Sequence, residues 1–183
     1  MYIPKKVSEK IIASNPYLKI TEKKFFEESW KQSNFLITSH NKQKSIWTFV
    51  LPITDKNEII YLKEYRYWPE KVIINFPVGI LEDWISEIEN CKRELQEETG
   101  YNSDNVTYLW KSIIENYFEW EIKYYIAKNC KRLSKQKLDN WENIKVFKTS
   151  IENFEKMILW WEVESSKTAY CFFLALKSGY ITK

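Results

Sequence analysis

The chain has 183 residues, with 28 Lys plus Arg against 25 Asp plus Glu, so its net charge is only +3. A hydrophobic share of 44% with 29% charged residues is a globular balance for one ordinary domain, and the near-neutral charge argues against a nucleic-acid partner. Three Gly, one His and three Cys without a CxxC pair exclude a Rossmann turn, a Walker A loop and a clustered His/Cys zinc site, and the odd Cys count argues against a disulfide framework; a Ser-His-Asp or Cys-His mechanism would have to run through His40, and there is no GxSxG elbow.

In chain order, Lys5–Ser14 reads as a short helix, and Tyr17–Glu27 and Asn34–Ser39 read as strands. The polar stretch His40–Lys44 is a seam, giving an N-terminal β-region over 1–44 and a main domain over 45–183. Ile46–Ile53 and Ile59–Tyr65 are rich in β-branched and aromatic residues, and Asp55-Lys56-Asn57 between them predicts a hairpin. Val72–Val78 is a further strand, stopped by Pro77 and Gly79. After Gly79, Ile85, Ile88, Cys91 and Leu95 recur at helical spacing, with Gly100 where a C-terminal cap belongs. Val106–Ile114 and Glu121–Ala127 read as strands, Lys128–Lys137 as a basic loop, and Asn143–Lys148 as a last strand. Two helices close the chain, one from Thr149 or Ser150 and one over about 166–177. Mixed strands, a central helix and a helical end predict an α/β sandwich. The longest apolar run, Ala169–Leu176, falls far short of the roughly 20 residues that span a bilayer, and the start has no apolar signal stretch. A soluble, cytoplasmic protein with no membrane partner is expected.

With so little His and Cys, chemistry must rest on carboxylates, hydroxyls, lysines or a hard metal, and one carboxylate cluster stands out. Arg93, Glu94, Glu97 and Glu98 lie on one helix, with the three Glu at i, i+3 and i+4 and so on one face. Like charges at that spacing repel, and a hard divalent cation with oxygen ligands turns the repulsion into coordination. The alternative at this level is a solvated, Glu-rich helix face.

The flanks carry more. The segment Gly79–Tyr101, GILEDWISEIENCKRELQEETGY, resembles the Nudix box, G-x5-E-x7-R-E-U-x-E-E-x-G-U with U a bulky apolar residue. Gly79, Arg93, Glu94, Leu95, Glu97, Glu98, Gly100 and Tyr101 all stand in register. The early Glu of the box does not, because Ile85 occupies its place; Glu82, Asp83 and Glu87 are the nearby carboxylates that could stand in for it. Glu64-Tyr65-Arg66 and Pro77-Val78-Gly79 resemble the approach to the box in the ADP-ribose and nucleotide-sugar pyrophosphatase branch of the Nudix hydrolases.

The resemblance implies the Nudix fold, an α/β/α sandwich with a mixed sheet and a loop-helix-loop. It implies a metal-dependent pyrophosphohydrolase that cleaves the diphosphate of a nucleoside diphosphate linked to another moiety. Glu94, Glu97 and Glu98 would hold Mg²⁺ or Mn²⁺, Arg93 would orient the glutamates, and Glu97 and Glu142 would serve the chemistry. A loop base is expected near Asp139–Glu142, where Asn140 replaces one acid, with Glu115, Glu119 and Glu121 as rivals. Arg66, Trp68 and Gly79 are the substrate-side candidates. Arg66 reads either as a phosphate ligand or as an edge-strand partner of a Glu. The branch also implies a homodimer through the N-terminal β-region. Two other readings stand beside this one: a non-catalytic module that binds ADP-ribose or a similar nucleotide, and a hydrolase of dinucleoside polyphosphates or RNA 5′ ends. The basic residues Lys128, Lys131, Arg132, Lys135 and Lys137 would serve the last.

Overall fold

The computed structural model describes residues 1–41 and 45–182, and only the backbone at 114 and 115. The Lys42–Lys44 part of the expected seam lies outside the described residues.

The N-terminal segment expected as a helix is a strand, β1 (Lys5–Ser14), in antiparallel register with β2 (Leu18–Phe26) from Lys5↔Phe26 to Ser14↔Lys19. The turn decides it. Asn15 Oδ1 accepts from the N–H groups of Tyr17 and Leu18 at 2.8 and 2.7 Å, and the following Pro16 disfavours a helical Asn15. β3 (Gln32–His40) completes the meander.

The core strands follow. β4 (Ile46–Thr54) and β5 (Glu58–Arg66) flank the expected turn, with Asn57 at φ 61°, but they pair only at Ile53↔Ile59. They then splay, so the simple hairpin is corrected. β4 takes a parallel partner, β10 (Phe118–Arg132), and an antiparallel one, β7 (Val78–Ile80). β5 lies between β6 (Lys71–Asn75) and β11 (Ile144–Ser150). The single run expected over Val72–Val78 is thus two strands, divided where Pro77 has no N–H to give; its carbonyl accepts from Val50 N–H at 2.9 Å. β8 (Tyr101–Asn102) and β9 (Asn105–Glu115) pair with β10. β10 runs five residues past the expected Ala127, so Lys128, Lys131 and Arg132 are strand residues and not loop residues.

Period-two alternation sends side chains to two cores. Phe49, Leu51, Ile59, Tyr61, Ile122, Tyr124 and Ile126 meet Ile151 and Phe154 of α2 (Ile151–Leu159) and Cys171, Phe172 and Ala175 of α3 (Ser166–Lys177). Their neighbours Val50, Ile60, Tyr125 and Ala127 meet Cys91 and Leu95 of α1 (Glu87–Thr99). Helices on both faces of a mixed sheet make the expected α/β/α sandwich.

Candidate active site

The box helix α1 is set at both ends. Ser86 caps its N-terminus in a reciprocal capping box with Glu89, and Gly100 ends it at φ 77°. A Cβ on Gly100 would also lie 2.4 Å from the Ser134 carbonyl oxygen, so only glycine fits there. Cys91 and Leu95 are fully buried, whereas the Ile88 expected on the same stripe is 45% exposed and Ile85 precedes the helix.

Gly79 answers a packing need one layer away. A Cβ there would sit 2.0 Å from Glu94 Cδ, so the missing side chain is the space that the Glu94 carboxylate occupies. Glu98 is 5% exposed and accepts from the Val78 N–H at 3.2 Å. Both carboxyls titrate high. Burial, only partly offset by Arg93, pushes Glu94 up to about 7, and burial beside Glu94, Glu64 and Glu142 pushes Glu98 well above the carboxylate range.

Arg93 organises the group. Its Nη2 lies 2.7 Å from Glu94 Oε1 and 3.3 Å from Glu82 Oε1, and its Nη1 lies 3.1 Å from Glu97 Oε2. It also donates to Asn90 Oδ1 at 2.9 Å, and the fully buried Asn90 donates to Thr48 Oγ1 on β4 at 2.8 Å. The guanidinium is therefore indexed to the sheet as well as to its own helix. Glu82, three residues before Ile85, supplies the loop carboxylate. Glu87 faces elsewhere, bonded to Lys123 and Tyr125.

Glu82, Arg93, Glu94, Glu97 and Glu98 line a cavity of about 470 Å³ together with Gly79, Trp47, Lys137, Asp139, Trp141 and Glu142. Glu142 comes from the 139–142 turn, where its carboxylate accepts from the Asp139 N–H at 2.9 Å and its own N–H donates to the Asp139 carbonyl at 3.0 Å. Burial raises its pKa, partly offset by the hydrogen bond from the Asp139 backbone N–H, with the Glu97 charge adding to the rise.

Of the rival bases, Glu119 pairs with Lys23 at 3.2 Å and Glu121 with Lys111 at 2.8 Å, and both line a different cavity with His40 and Trp120. The Glu115 side chain lies outside the described residues.

The substrate-side candidates divide. Gly79 lines the cavity, but Arg66 does not; its Nη2 sits 2.9 Å from Glu64 Oε2, the expected pairing with a Glu, although β5 is flanked by β6 and β11 and is no edge strand. Trp68 is 89% exposed and outside the cavity. Sequence reasoning passed over Glu64 as a site residue. It is 5% exposed, raised by burial and coupled to Glu98, and its signal was the inward phase opposite Lys63 in the period-two pattern. It passed over Asn90, Trp47 and Trp141 as well. Four of the five basic residues go to four places: Lys137 to this cavity, Arg132 and Lys131 to two others, and Lys128 over the Tyr180 ring.

The model of the NUDIX domain matches residues 44–164, a span that includes the whole cavity. The chain belongs to the Nudix family. It is 34% identical over 133 residues to the ADP-ribose pyrophosphatase of Bacillus subtilis (strain 168), covering 71% of this chain and 72% of that one. It is 31% identical over 121 residues to the methanol dehydrogenase activator of Bacillus methanolicus, covering 65% of each chain. It is 30% identical over 81 residues to the ADP compounds hydrolase NudE of Escherichia coli (strain K12), covering 44% and 43%. A crystal structure of an ADP compounds hydrolase superposes with a TM-score of 0.83 at 18% identity, over 96% of this chain and 93% of that one, which shows the shared fold.

Nudix hydrolases generally use a divalent metal. Among the described residues no three acidic, His or Cys side chains stand ready-made around one point, since Glu94 and Glu97 are turned to Arg93. The donor set nonetheless suits a hard cation. It consists of carboxylate oxygens, two of the carboxyls being buried and titrating high because of that burial, with Gly79 holding open the space for Glu94.

Proposed function

We propose that this Nudix protein is a metal-dependent pyrophosphohydrolase acting on ADP-ribose or a nucleotide sugar, with Glu94, Glu97 and Glu98 as the metal-holding residues. The supporting observation is one cavity that gathers the box glutamates and a loop carboxylate, Glu142, from a separate element. When bound, Mg²⁺ or Mn²⁺ supplies positive charge to the diphosphate and lowers the pKa of water.

The chain's own groups do the rest. Arg93 fixes the rotamers of Glu94 and Glu97, and Asn90 with Thr48 fixes Arg93. Glu142, with its raised pKa, accepts the proton of the attacking water. The water oxygen bonds to one phosphorus as the bridging P–O bond breaks, and the other phosphate leaves as a monoester. With ADP-ribose the products are AMP and ribose 5-phosphate.

Glu82 on Arg93 supports the catalytic reading over a binding-only module, because the loop carboxylate lost at Ile85 has a neighbour in its stead. Dispersal of the basic residues weighs against RNA ends. The reading includes a cytoplasmic protein, a boundary near residue 44 and a homodimer. Support for the dimer comes from β1, exposed along its whole length with Val7, Ile11 and Ile12 at 46%, 56% and 53%. Among the described residues no helix is long and apolar enough to cross a membrane.

A phosphatase-coupled phosphate-release screen tests the substrate class. The panel is ADP-ribose, nucleotide sugars, dinucleoside polyphosphates, NADH and nucleoside triphosphates, each with Mg²⁺ and with Mn²⁺. Turnover of ADP-ribose or a nucleotide sugar is the expected result. Nucleotide binding without product from any of them would overturn the enzyme reading.

A further inference from the structure

Among the described residues two cations line the catalytic cavity, Arg93 and Lys137. Arg93 is committed to Glu82, Glu94 and Glu97. Lys137 forms no ion pair among the described residues, although the cavity it lines is rich in carboxylates. A diphosphate entering that cavity carries charge that a metal only partly offsets. The uncommitted ammonium is the group placed to meet the remainder.

The backbone explains why it stays there. Lys137 N–H donates to the Glu97 carbonyl at 2.8 Å, which pins the residue to the C-terminal end of the box helix while its side chain stays exposed. Four residues on, Trp141 lines the same cavity with its side chain 59% exposed, and it meets no other ring among the described residues. Its backbone is also held, because Tyr67 Oη donates to the Trp141 carbonyl at 3.3 Å. A fixed segment thus offers one free cation and one free aromatic face to the cavity of about 470 Å³. Stacking on an indole suits a nucleobase, which has a π-face whatever its hydrogen-bonding edge.

We propose, resting on the hydrolase reading above, that residues 137–142 form the substrate-reading loop: the Lys137 ammonium binds a phosphate oxygen of the nucleoside diphosphate and the Trp141 indole stacks on its base. Arg66 and Trp68, the candidates from sequence, lie outside the cavity and yield these roles to the loop.

Steady-state kinetics on the full chain with Mg²⁺ and ADP-ribose test this, with Lys137→Gln, Lys137→Arg, Trp141→Ala and Trp141→Phe beside wild type. Loss of a charge-assisted contact is expected to raise KM about tenfold or more in Lys137→Gln, with kcat moving much less. Trp141→Ala should raise KM likewise, while Lys137→Arg and Trp141→Phe stay near wild type. Unchanged KM in both Lys137→Gln and Trp141→Ala, with an active wild type, would overturn the loop assignment. So would a fall confined to kcat. If wild type hydrolyses nothing in the panel, the hydrolase reading fails first, and calorimetric titration with AMP decides the loop: equal affinity in wild type and Lys137→Gln overturns it, and about tenfold weaker binding in the variant supports it.

Discussion

At the scale of the residue, the site is a problem of too many carboxylates around one guanidinium. Glu82 is the informative member. It stands three positions from the place the box pattern assigns to a glutamate, yet its Oε1 reaches Arg93 at 3.3 Å. If it holds Arg93, Glu82→Ala should lower kcat/KM on ADP-ribose by about tenfold, and adding Ile85→Glu to that variant should recover most of the loss. Failure of the double variant to recover would mean that Ile85 has no bearing on Arg93. Gly79 gives a second expectation. Gly79→Ala forces a Cβ into the Glu94 carboxylate, so turnover should fall by orders of magnitude although alanine is the smallest change available. Arg93, Glu94, Glu97 and Glu98 were legible because one helix fixes their spacing. Glu64 and Asn90 were not, because each is bonded to a residue of another element, Asn75 on β6 and Thr48 on β4 respectively.

At the scale of the element, local signals succeeded where the element carries its own stops. Ser86, Glu89 and Gly100 frame α1 chemically, and Ser86→Ala should cost about 1 kcal/mol in denaturant unfolding through the lost cap. The β4–β5 turn was legible from Asp55-Lys56-Asn57, but the splay beyond Ile53↔Ile59 was not. Each strand is claimed by other strands that sequence pattern does not pair. β1 failed for a related reason. Its apolar residues fit a short helix as well as a strand, and the deciding facts were the Asn15–Pro16 turn and the waiting register of β2. The basic loop failed because β10 continues until β8 can pair with Lys131 and Arg132.

For the whole molecule, two cores back one sheet, and the cavity stands where α1, β7 and the 137–142 loop meet. The buried carboxyls couple this arrangement to pH. Glu94 rises from 4.5 to about 7 on folding, so the folded chain binds that proton more tightly than the unfolded one. The stability this contributes is full below about pH 4.5 and is lost as pH rises through about 7. Melting of EDTA-treated protein should therefore fall in temperature across that window, and added Mg²⁺ should reverse the fall at its upper end. If the exposed β1 face joins two copies, Ile11→Lys should shift sedimentation from dimer to monomer.

The most direct test of the central claim compares wild type with Glu98→Gln in ADP-ribose hydrolysis with Mg²⁺, melting temperatures being taken alongside. Turnover is expected to drop by orders of magnitude in the variant while its melting temperature holds or rises, since a buried carboxyl has been replaced by a neutral amide. A variant that turns over near the wild-type rate would contradict a metal site at the box glutamates.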